Sequence, residues 1–530
     1  MIRGVRLRLA LPLAIAVFTV ASACTSGRHR RAPAAPTLVT AIGGDATITV
    51  SWADVPGADN YILYFARQSG VGKTTYSTLL DGGRNSGATS PVNFTQAHNG
   101  ETWFFVVTAV SASGYESDDS QEVYASATPW PQAIVIDSAN GDALTGSLAV
   151  DPSGNIFAVW SRQHPNRYTI QSARFAIATD TWSNPATLDS DAGFSYSPRV
   201  DVDANGKAVA IWRQGQGSDD AIWTNTWISG WGAPQRVPEI TTGAARNPDI
   251  AAANAGTFLI AFAQFDGVSE NVYGGNFAGS FGPVTVLDTG APDADFPRVA
   301  GDDAGNGTAV FTQRGAVWTA DYAAGWQAPT ILSTTTTGAA SPAIAMNGAG
   351  KTIAAWREPN PAGFDLWAAT RSGGAWSAPV RLEEQAGTVG APAVAIGLNG
   401  DGVVVFAQRV GLHDVLQADR FIAGAWQGAA RIDGDDSGDV KEIAIAVSNS
   451  SQAIALWSQD VVGPGGTSKN IYSNRYSVVD SAWSTAVIAS PFGLNSNPSV
   501  VIGSSGIATG VWTWLEPGGT AVLSNRLPLP

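Results

Sequence analysis

Apolar runs, glycine-containing turns and polar loops alternate in a fixed order along residues 130–530. The stretch from Ser197 to Val237 shows one unit of the pattern. Two apolar runs, the second ending in Trp212, flank a glycine turn, and shorter apolar runs follow at Ile222–Ile228 and Ala233–Val237. Apolar runs joined by a tight glycine turn predict a β-hairpin. The unit therefore predicts four short strands within about 50 residues.

Two series of aromatic residues recur in phase with this unit. The first series lies six residues after a turn residue and comprises Trp160, Trp212, Phe262, Phe311, Trp356, Phe406, Trp457 and Trp512. The corresponding turn residues are Gly154, Gly206, Gly256, Gly305, Gly350, Gly400, Ser451 and Gly506. The second series opens the last strand of each unit and comprises Trp182, Trp231, Phe281, Trp326, Trp376, Trp426 and Trp483. Repeated four-stranded units of this length predict the blades of a β-propeller.

Eight first aromatics but only seven second ones occur, so the last unit lacks its fourth strand. Residues 130–136, which begin with Trp130, read as the missing strand, and they could pair with Thr520–Arg526. Such pairing would close the ring and remove both exposed sheet edges. We therefore predict eight blades, with seven as the alternative if one unit packs irregularly.

Composition limits the partners of this 530-residue chain. Acidic residues outnumber basic ones by 44 to 30, the net charge is −14 and the isoelectric point is about 4.7. Nucleic-acid binding needs a basic surface that releases phosphate counterions, so the charge argues against nucleic-acid partners. The single cysteine, Cys24, excludes an intramolecular disulfide. No feature requires an oligomer, and we expect a monomer.

The first 23 residues combine three arginines, the apolar run Leu9–Val20 and the small residues Ala21-Ser22-Ala23, which is the pattern of an export signal. Cys24 follows directly, and the junction resembles the lipobox of bacterial lipoproteins, although Ala21 stands where that family usually has Leu. The resemblance implies that Cys24 becomes acylated and anchors the protein in the cell envelope, at the outer membrane or the cell surface. Ordinary cleavage after Ala23 and secretion is the alternative. Residues 24–35 form a short tether.

Residues 36–129 show apolar runs at the spacing of a β-sandwich. Pro36, Trp52, Tyr61, Tyr64 and the closing Ala127-Thr-Pro129 resemble a fibronectin type III domain. Trp103 occupies the place of the family's corner tyrosine. No Arg-Gly-Asp sequence occurs, so we interpret this domain as a spacer between the membrane and the propeller.

Polar residues recur two positions after each first aromatic. They are Arg162, Gln214, Gln264, Gln313, Glu358, Gln408, Gln459 and, as the exception, Trp514; Arg213, Arg314, Arg357 and Arg409 stand beside four of them. At strand ends these side chains would surround the mouth of the central channel. Amide and guanidinium groups suit sugar hydroxyls and carboxylates, for example those of a uronic-acid polysaccharide. The alternative is a structural network in which the glutamines bind neighbouring backbone groups.

The propeller repeat resembles that of sialidases and related BNR-like domains. That resemblance implies several arginines for a carboxylate ligand, but no Tyr–Glu nucleophile pair can be identified, and the turns are one residue longer than the family's box. The loop that carries Asp433, Asp435 and Asp439 begins like a calcium loop, yet Ala444 stands where an EF-hand needs Glu. We expect no other cofactor.

The sequence therefore predicts an all-β, lipid-anchored binding scaffold that engages carbohydrate or protein at the channel face of the propeller. A glycan-processing enzyme, either a sialidase-like glycosidase or a polysaccharide lyase, is the first alternative. The second is an outer-membrane assembly factor, although the turn pattern differs from the repeat of the propeller lipoproteins in that class.

Overall fold

The computed structural model describes residues 32–190, 193–215, 220–238, 243–383, 385, 387–434, 438–463, 466–490, 493–516 and 518–529. Cys24, the signal segment 1–23, most of the tether and Asp435 lie outside the described residues. The described part is β-structure throughout, apart from a single 3-10 turn at Tyr76–Thr78. It contains no helix that is long and apolar enough to cross a membrane.

The N-terminal part is a two-sheet sandwich of seven strands in the described residues. One sheet contains Thr40–Gly44, Thr47–Ser51 and Val92–Phe94, and the other contains Gly83–Ala88, Asn60–Ala66, Thr102–Val110 and Val123–Ser126. Three strands facing four is the arrangement of immunoglobulin-type sandwiches. Trp52, Phe65, Phe94 and Trp103 form the centre of the core, where Trp103 packs edge-on against Phe94.

Eight antiparallel sheets follow in the described residues, and they confirm the predicted eight-bladed propeller. The first strands of the blades are Ala143–Val150, Phe194–Val202, Ala245–Asn254, Asp295–Gly301, Ala340–Met346, Ala393–Ile396, Val440–Val447 and Asn495–Ile502. The second strands are Ile156–His164, Ala208–Gly215, Thr257–Phe265, Gly307–Gln313, Thr352–Asn360, Gly402–Val410, Ala453–Gly463 and Ile507–Glu516. The third strands are Arg167–Ala176, Ala221–Trp227, Glu270–Phe277, Ala316–Tyr322, Gly363–Ser372, His413–Ile422, Gly466–Ser477 and Gly519–Pro528.

The outer strands are short, and they are Ala186–Thr187, Gln235–Arg236, Thr285–Val286, Thr330–Ile331, Val380–Arg381, Ala430–Arg431, Val487–Ile488 and, for the eighth blade, Ile134–Asp137. The second aromatics do not open these strands, which corrects the sequence interpretation. Trp182, for example, pairs with Phe175, whereas the separate strand Ala186–Thr187 pairs with Gln171 and Ser172. Pro185 lies between the two pieces, and proline cannot donate a hydrogen bond to the neighbouring strand.

The first strands are the innermost ones. Each contacts the first strand of the next blade, and Asn495–Ile502 contacts Ala143–Val150, so the inner strands form a closed ring. The second strands lie between neighbouring blades, and Ala208–Trp212 is buried at every position. Their continuous apolar sequences are therefore explained by burial on both faces.

The turn between the first two strands of each blade requires a left-handed residue. All seven glycines of the turn series have positive φ, from 76° at Gly350 to 96° at Gly256, and Ser451 takes the same conformation with φ 64°. Glycine adopts this region without the steric cost that a Cβ brings. The turns define the lower face of the propeller, and the loops between second and third strands define the upper face.

The closing strand comes from the front of the propeller sequence. Ile134 pairs with Ser524, Val135 with Leu523 and Asp137 with Val522. Trp130 precedes this strand and is buried between the last two blades, where its indole N–H donates to Ser473 Oγ at 2.7 Å. The strand is shorter than the predicted 130–136, and it starts at Ile134.

The sandwich joins the propeller beside the closing strand. Thr128 Oγ1 donates to the carbonyl of Ile488 at 2.8 Å. A cleft of about 410 Å³ opens at this junction, with Ile42 and Tyr124 of the sandwich on one side and Val135 and Trp514 of the propeller on the other.

Candidate functional site

The eight residues that lie two positions after the first aromatics are called the latch positions below. Side chains on a strand alternate between its faces, so each latch residue lies on the same face as its aromatic neighbour. Seven of them are at most 4 % exposed, namely Arg162, Gln214, Gln264, Gln313, Glu358, Gln408 and Gln459. Their predicted place around an open channel mouth is therefore corrected, because the side chains lie inside the blade contacts.

The latch glutamines bind the loop that leads into their own blade. Gln264 donates to the carbonyl of Gly243 at 2.8 Å, and Gln408 donates to the carbonyl of Gln385 at 2.9 Å. Gln313 donates to Ala291 at 2.6 Å. A side-chain amide supplies both a donor and an acceptor, which suits it to satisfying backbone groups in a buried loop.

In three of the blades whose first aromatic is tryptophan, the latch residue also accepts the indole N–H. Trp212 donates to Gln214 at 3.0 Å and Trp457 donates to Gln459 at 2.9 Å. Trp356 donates to the carboxylate of Glu358 at 2.7 Å. Buried tryptophan needs such an acceptor, so the Gln and Glu side chains at these positions have a structural reason.

Arg162, the residue at the latch position of the first blade, holds the ring closed. Its guanidinium pairs with Asp137 at 2.6 Å and donates to the carbonyl of Thr520 at 2.7 Å. It thereby ties the first blade to the closing strand and to the last blade, and it is not available for a ligand.

The arginines beside the latch positions differ among themselves. Arg213 pairs with Asp220 at 2.5 Å, and Arg409 lies 3.2 Å from Asp414. Arg357 packs over the ring of Phe364, and burial lowers its pKa. Arg314 is exposed, and no partner for it is found within the described part of the chain. The sequence argument for a ring of free cations therefore holds for one arginine at most.

Asp433, a calcium candidate, belongs to a second repeated set. In the blades of this set, the residue two positions after the outer strand accepts a backbone N–H of the third strand. Asp288 accepts from Val272 at 2.7 Å, and Ser490 accepts from Ile471 at 2.9 Å. Asp433 occupies the same position and pairs with Arg431 at 2.6 Å. The repeat phase thus explains this aspartate without a metal ion.

Asp439, the other described calcium candidate, lies 3.3 Å from Arg409. The hydrogen bond from the backbone N–H of Asp414 holds the pKa of Asp439 below its usual range, and the Arg409 charge acts in the same direction. Among the described residues, no group of three or more histidine, cysteine or acidic side chains is placed to hold a metal ion.

One position of the inner strands is charged in three neighbouring blades. It is Arg199, Asp249 and Arg298 in the second, third and fourth blades, but Ala343, Ala393 and Ala444 in the next three. Arg199 lies 3.8 Å from Asp249. Asp249 accepts the backbone N–H of Val299 at 2.9 Å, so this carboxylate joins adjacent inner strands.

Asp201 is placed in the same way one step further along its strand. It accepts the backbone N–H of Ala252 at 2.7 Å. Enclosure among the inner strands raises the pKa of Asp201 to about 6, which the backbone hydrogen bonds only partly oppose. Because Asp201 and Asp249 are both engaged by backbone of the next blade, their arrangement is explained by blade packing and does not identify a catalytic pair.

Three aromatic residues form a cluster on the upper face between the first two blades, and they are called the aromatic cluster below. The rings of Phe194 and Tyr196 are parallel within 4°, with centroids 6.1 Å apart, and Tyr168 lies 5.0 Å from Tyr196. The guanidinium of Arg213 lies 5.5 Å from the ring centre of Tyr196. In the described part of the chain, no other three rings pack on one another on this face.

The aromatic cluster is open to solvent. Phe194 is 38 % exposed, and its strand partner is Gly215, which has no side chain to cover the ring. The exposed phenylalanines of the described propeller residues, Phe194, Phe265 and Phe296, all lie on the upper face. Burial raises the pKa of Tyr196 above its usual range.

The sequence reasoning missed the aromatic cluster because it followed the repeat. The third to sixth blades place Arg246, Asp295, Ala340 and Gly390 at the position of Tyr196, two residues before the equivalent of Pro198. An aromatic residue that breaks the repeat was therefore the signal. Packing explains the aromatics that repeat, but it does not require Phe194 or Tyr196.

No family model and no curated protein matches the chain. Among solved structures, an α-L-arabinofuranosidase from Fusarium graminearum is 8 % identical with a TM-score of 0.38, and the match covers 76 % of this chain and 98 % of that one. A sialidase from Streptococcus pneumoniae is 10 % identical with a TM-score of 0.35, covering 89 % and 93 %. A Fn3-like protein from Clostridium thermocellum is 26 % identical with a TM-score of 0.15, covering 18 % and 92 %. Similarities this weak support no conclusion about activity or ligand.

Proposed function

We propose that this protein is an exported, lipid-anchored binding scaffold of the bacterial cell envelope that engages carbohydrate on the upper face of its propeller. The observation that supports the proposal best is the aromatic cluster. Exposed aromatic rings offer flat apolar faces, and the tyrosine hydroxyls add hydrogen-bonding groups at the edges. A sugar ring has the matching chemistry, with C–H bonds on its faces and hydroxyls at its rim.

The rest of the molecule fits a binding role. The latch positions and the second repeated set hold the loops of the upper face to the blades through buried hydrogen bonds. A ligand site on loops fixed in this way loses little conformational entropy when it binds. Nothing in the described residues adds support to the enzyme alternative or to the assembly-factor alternative.

A glycan array tests the proposal. The purified mature protein is labelled and applied to an array of neutral and acidic glycans, and the hits are measured by calorimetric titration. Saturable binding to at least one glycan class supports the proposal. A protein that folds, as judged by its cooperative unfolding, and yet binds none of the glycans overturns it and leaves a protein ligand as the next candidate.

A further inference from the structure

The charged groups beside the aromatic cluster already neutralise one another. Arg213 pairs with Asp220 at 2.5 Å, and Asp220 is only 3 % exposed. The Arg213 side chain is about one third exposed, but the Asp220 carboxylate already balances its charge. An anionic ligand at Arg213 would therefore be attracted less strongly than by an arginine without an acidic partner.

Among the described residues, other cations of the upper face are compensated in the same way, with Arg314 of the fourth blade as an exception. In the third and fourth blades, Arg246 lies between Glu270 at 2.5 Å and Asp295 at 2.8 Å. In the seventh blade, Lys441 pairs with Asp460 at 2.7 Å. The whole chain carries a net charge of −14, so a polyanion would also meet long-range repulsion.

We propose that the aromatic cluster binds a neutral hexopyranose unit of an uncharged polysaccharide, an inference that rests on the proposed carbohydrate-binding function. The open face of Phe194 takes the C–H face of the sugar, beside Tyr168. The hydroxyls of Tyr168 and Tyr196 and the outward-facing atoms of Arg213 bind sugar hydroxyls. This replaces the uronic-acid ligand that the sequence suggests, because that ligand depends on free cations.

Affinity electrophoresis and calorimetric titration of the full mature protein test the inference. The neutral probes are mixed-linkage β-glucan, xyloglucan, galactomannan and arabinoxylan, and the acidic probes are polygalacturonate and alginate. We expect binding to at least one neutral polymer. The dissociation constant should change less than about twofold between 50 and 500 mM NaCl, because salt screens interactions between charges and leaves apolar stacking in place.

Two variants locate the site, and a third serves as the matched control. Phe194→Ala and Tyr168→Ala should each weaken binding of the neutral polymer at least tenfold. Phe296→Ala removes an exposed phenylalanine from the same face of the fourth blade, outside the aromatic cluster, and should leave binding unchanged. All three positions are at least partly exposed, so the unfolding midpoints should stay close to that of the unaltered protein, and this is checked for each variant.

The possible outcomes separate the two proposals. Salt-sensitive binding to the acidic probes alone overturns the neutral ligand but keeps the carbohydrate-binding function. Neutral binding that neither Phe194→Ala nor Tyr168→Ala weakens, or that Phe296→Ala weakens equally, overturns the aromatic cluster as the site. The absence of binding to every probe and to the whole glycan array overturns both proposals.

Discussion

Gln459 and Gln408 occupy the same latch position in successive blades, but only one of them serves a tryptophan. Gln459 accepts the indole N–H of buried Trp457, whereas the aromatic beside Gln408 is Phe406, which has no N–H. Replacing Gln459 by Met leaves a buried donor unsatisfied, and this costs about 1–3 kcal/mol.

We therefore expect Gln459→Met to lower the free energy of unfolding by about 1–3 kcal/mol more than the matched Gln408→Met change. Urea unfolding of both variants measures the difference. Equal losses would show that the indole hydrogen bond contributes nothing to the stability.

Glu383 is the buried carboxyl group whose protonation should be visible in the stability of the protein. Burial raises the pKa of Glu383 from 4.5 to about 7, and the nearby Asp365 carboxylate acts in the same direction. A raised pKa in the folded state means that this group contributes stability that is fully present below about pH 4.5 and is lost as the pH rises through 7. Arg381, 3.5 Å away, is half exposed and does not reverse the direction.

Glu383→Gln keeps an oxygen that can accept the backbone N–H of Leu366 but cannot ionise. We expect the variant to gain stability relative to the unaltered protein as the pH rises from 4.5 to 8. Thermal unfolding of both proteins across that range measures the difference between their melting temperatures. A difference that stays constant with pH would contradict the raised pKa.

At the scale of single elements, the closing strand depends on a buried ion pair. Asp137 forms an ion pair with the guanidinium of Arg162 and accepts a hydrogen bond from the indole N–H of Trp160 at 2.9 Å. Removing one partner of a buried pair leaves an uncompensated charge and costs about 3–5 kcal/mol. Asp137→Ala should therefore lower the free energy of unfolding by about that amount and promote aggregation through the freed sheet edge.

Asp142→Ala is the control for this prediction, because Asp142 lies in the same segment and, among the described residues, binds Gln163 through its backbone carbonyl. Denaturant unfolding and light scattering report stability and aggregation. A loss in Asp137→Ala no larger than in Asp142→Ala would mean that the ring does not depend on this contact.

The strands and their order were predictable from the sequence because burial repeats with the blades. The turn glycine and the first aromatic, which are Gly206 and Trp212 in the second blade, define the first hairpin in each blade that repeats them. The interruption of the outer strands was harder to predict, since the effect of Pro185 depends on which backbone groups the neighbouring strand presents. The role of Gln214 could not be decided, because an amide at a strand end serves a loop or a ligand equally well until the loop is seen.

The aromatic cluster depends on contacts that are distant in sequence. Tyr168 comes from the third strand of one blade and Tyr196 from the first strand of the next, and their approach needs the relative rotation of the blades. Repeat analysis averages over such differences between blades. A search for residues that depart from the repeat would have found Tyr196.

At the scale of the whole molecule, the proposed lipid anchor makes a prediction that concerns the N-terminus alone. Replacing Cys24 by Ala should release the mature protein from the membrane fraction or stall its processing, because the replaced thiol is the proposed acylation site. Fractionation of cells that express each form, followed by immunoblotting, measures the distribution. Unchanged processing and unchanged membrane association of the Cys24→Ala protein would contradict the anchor.

The ring closes through contacts between residues that the ribosome synthesises at very different times. The guanidinium of Arg162 binds the carbonyl of Thr520, 358 positions later in the chain. The first seven blades contain all their own strands and can form while the nascent chain emerges, whereas the eighth must wait for Gly519–Pro528. A chain delivered across a membrane from its N-terminus would therefore remain an open arc, with two unpaired edges, until Gly519–Pro528 arrives. The arrival of this strand thus sets the moment at which the ring can resist proteolysis and self-association.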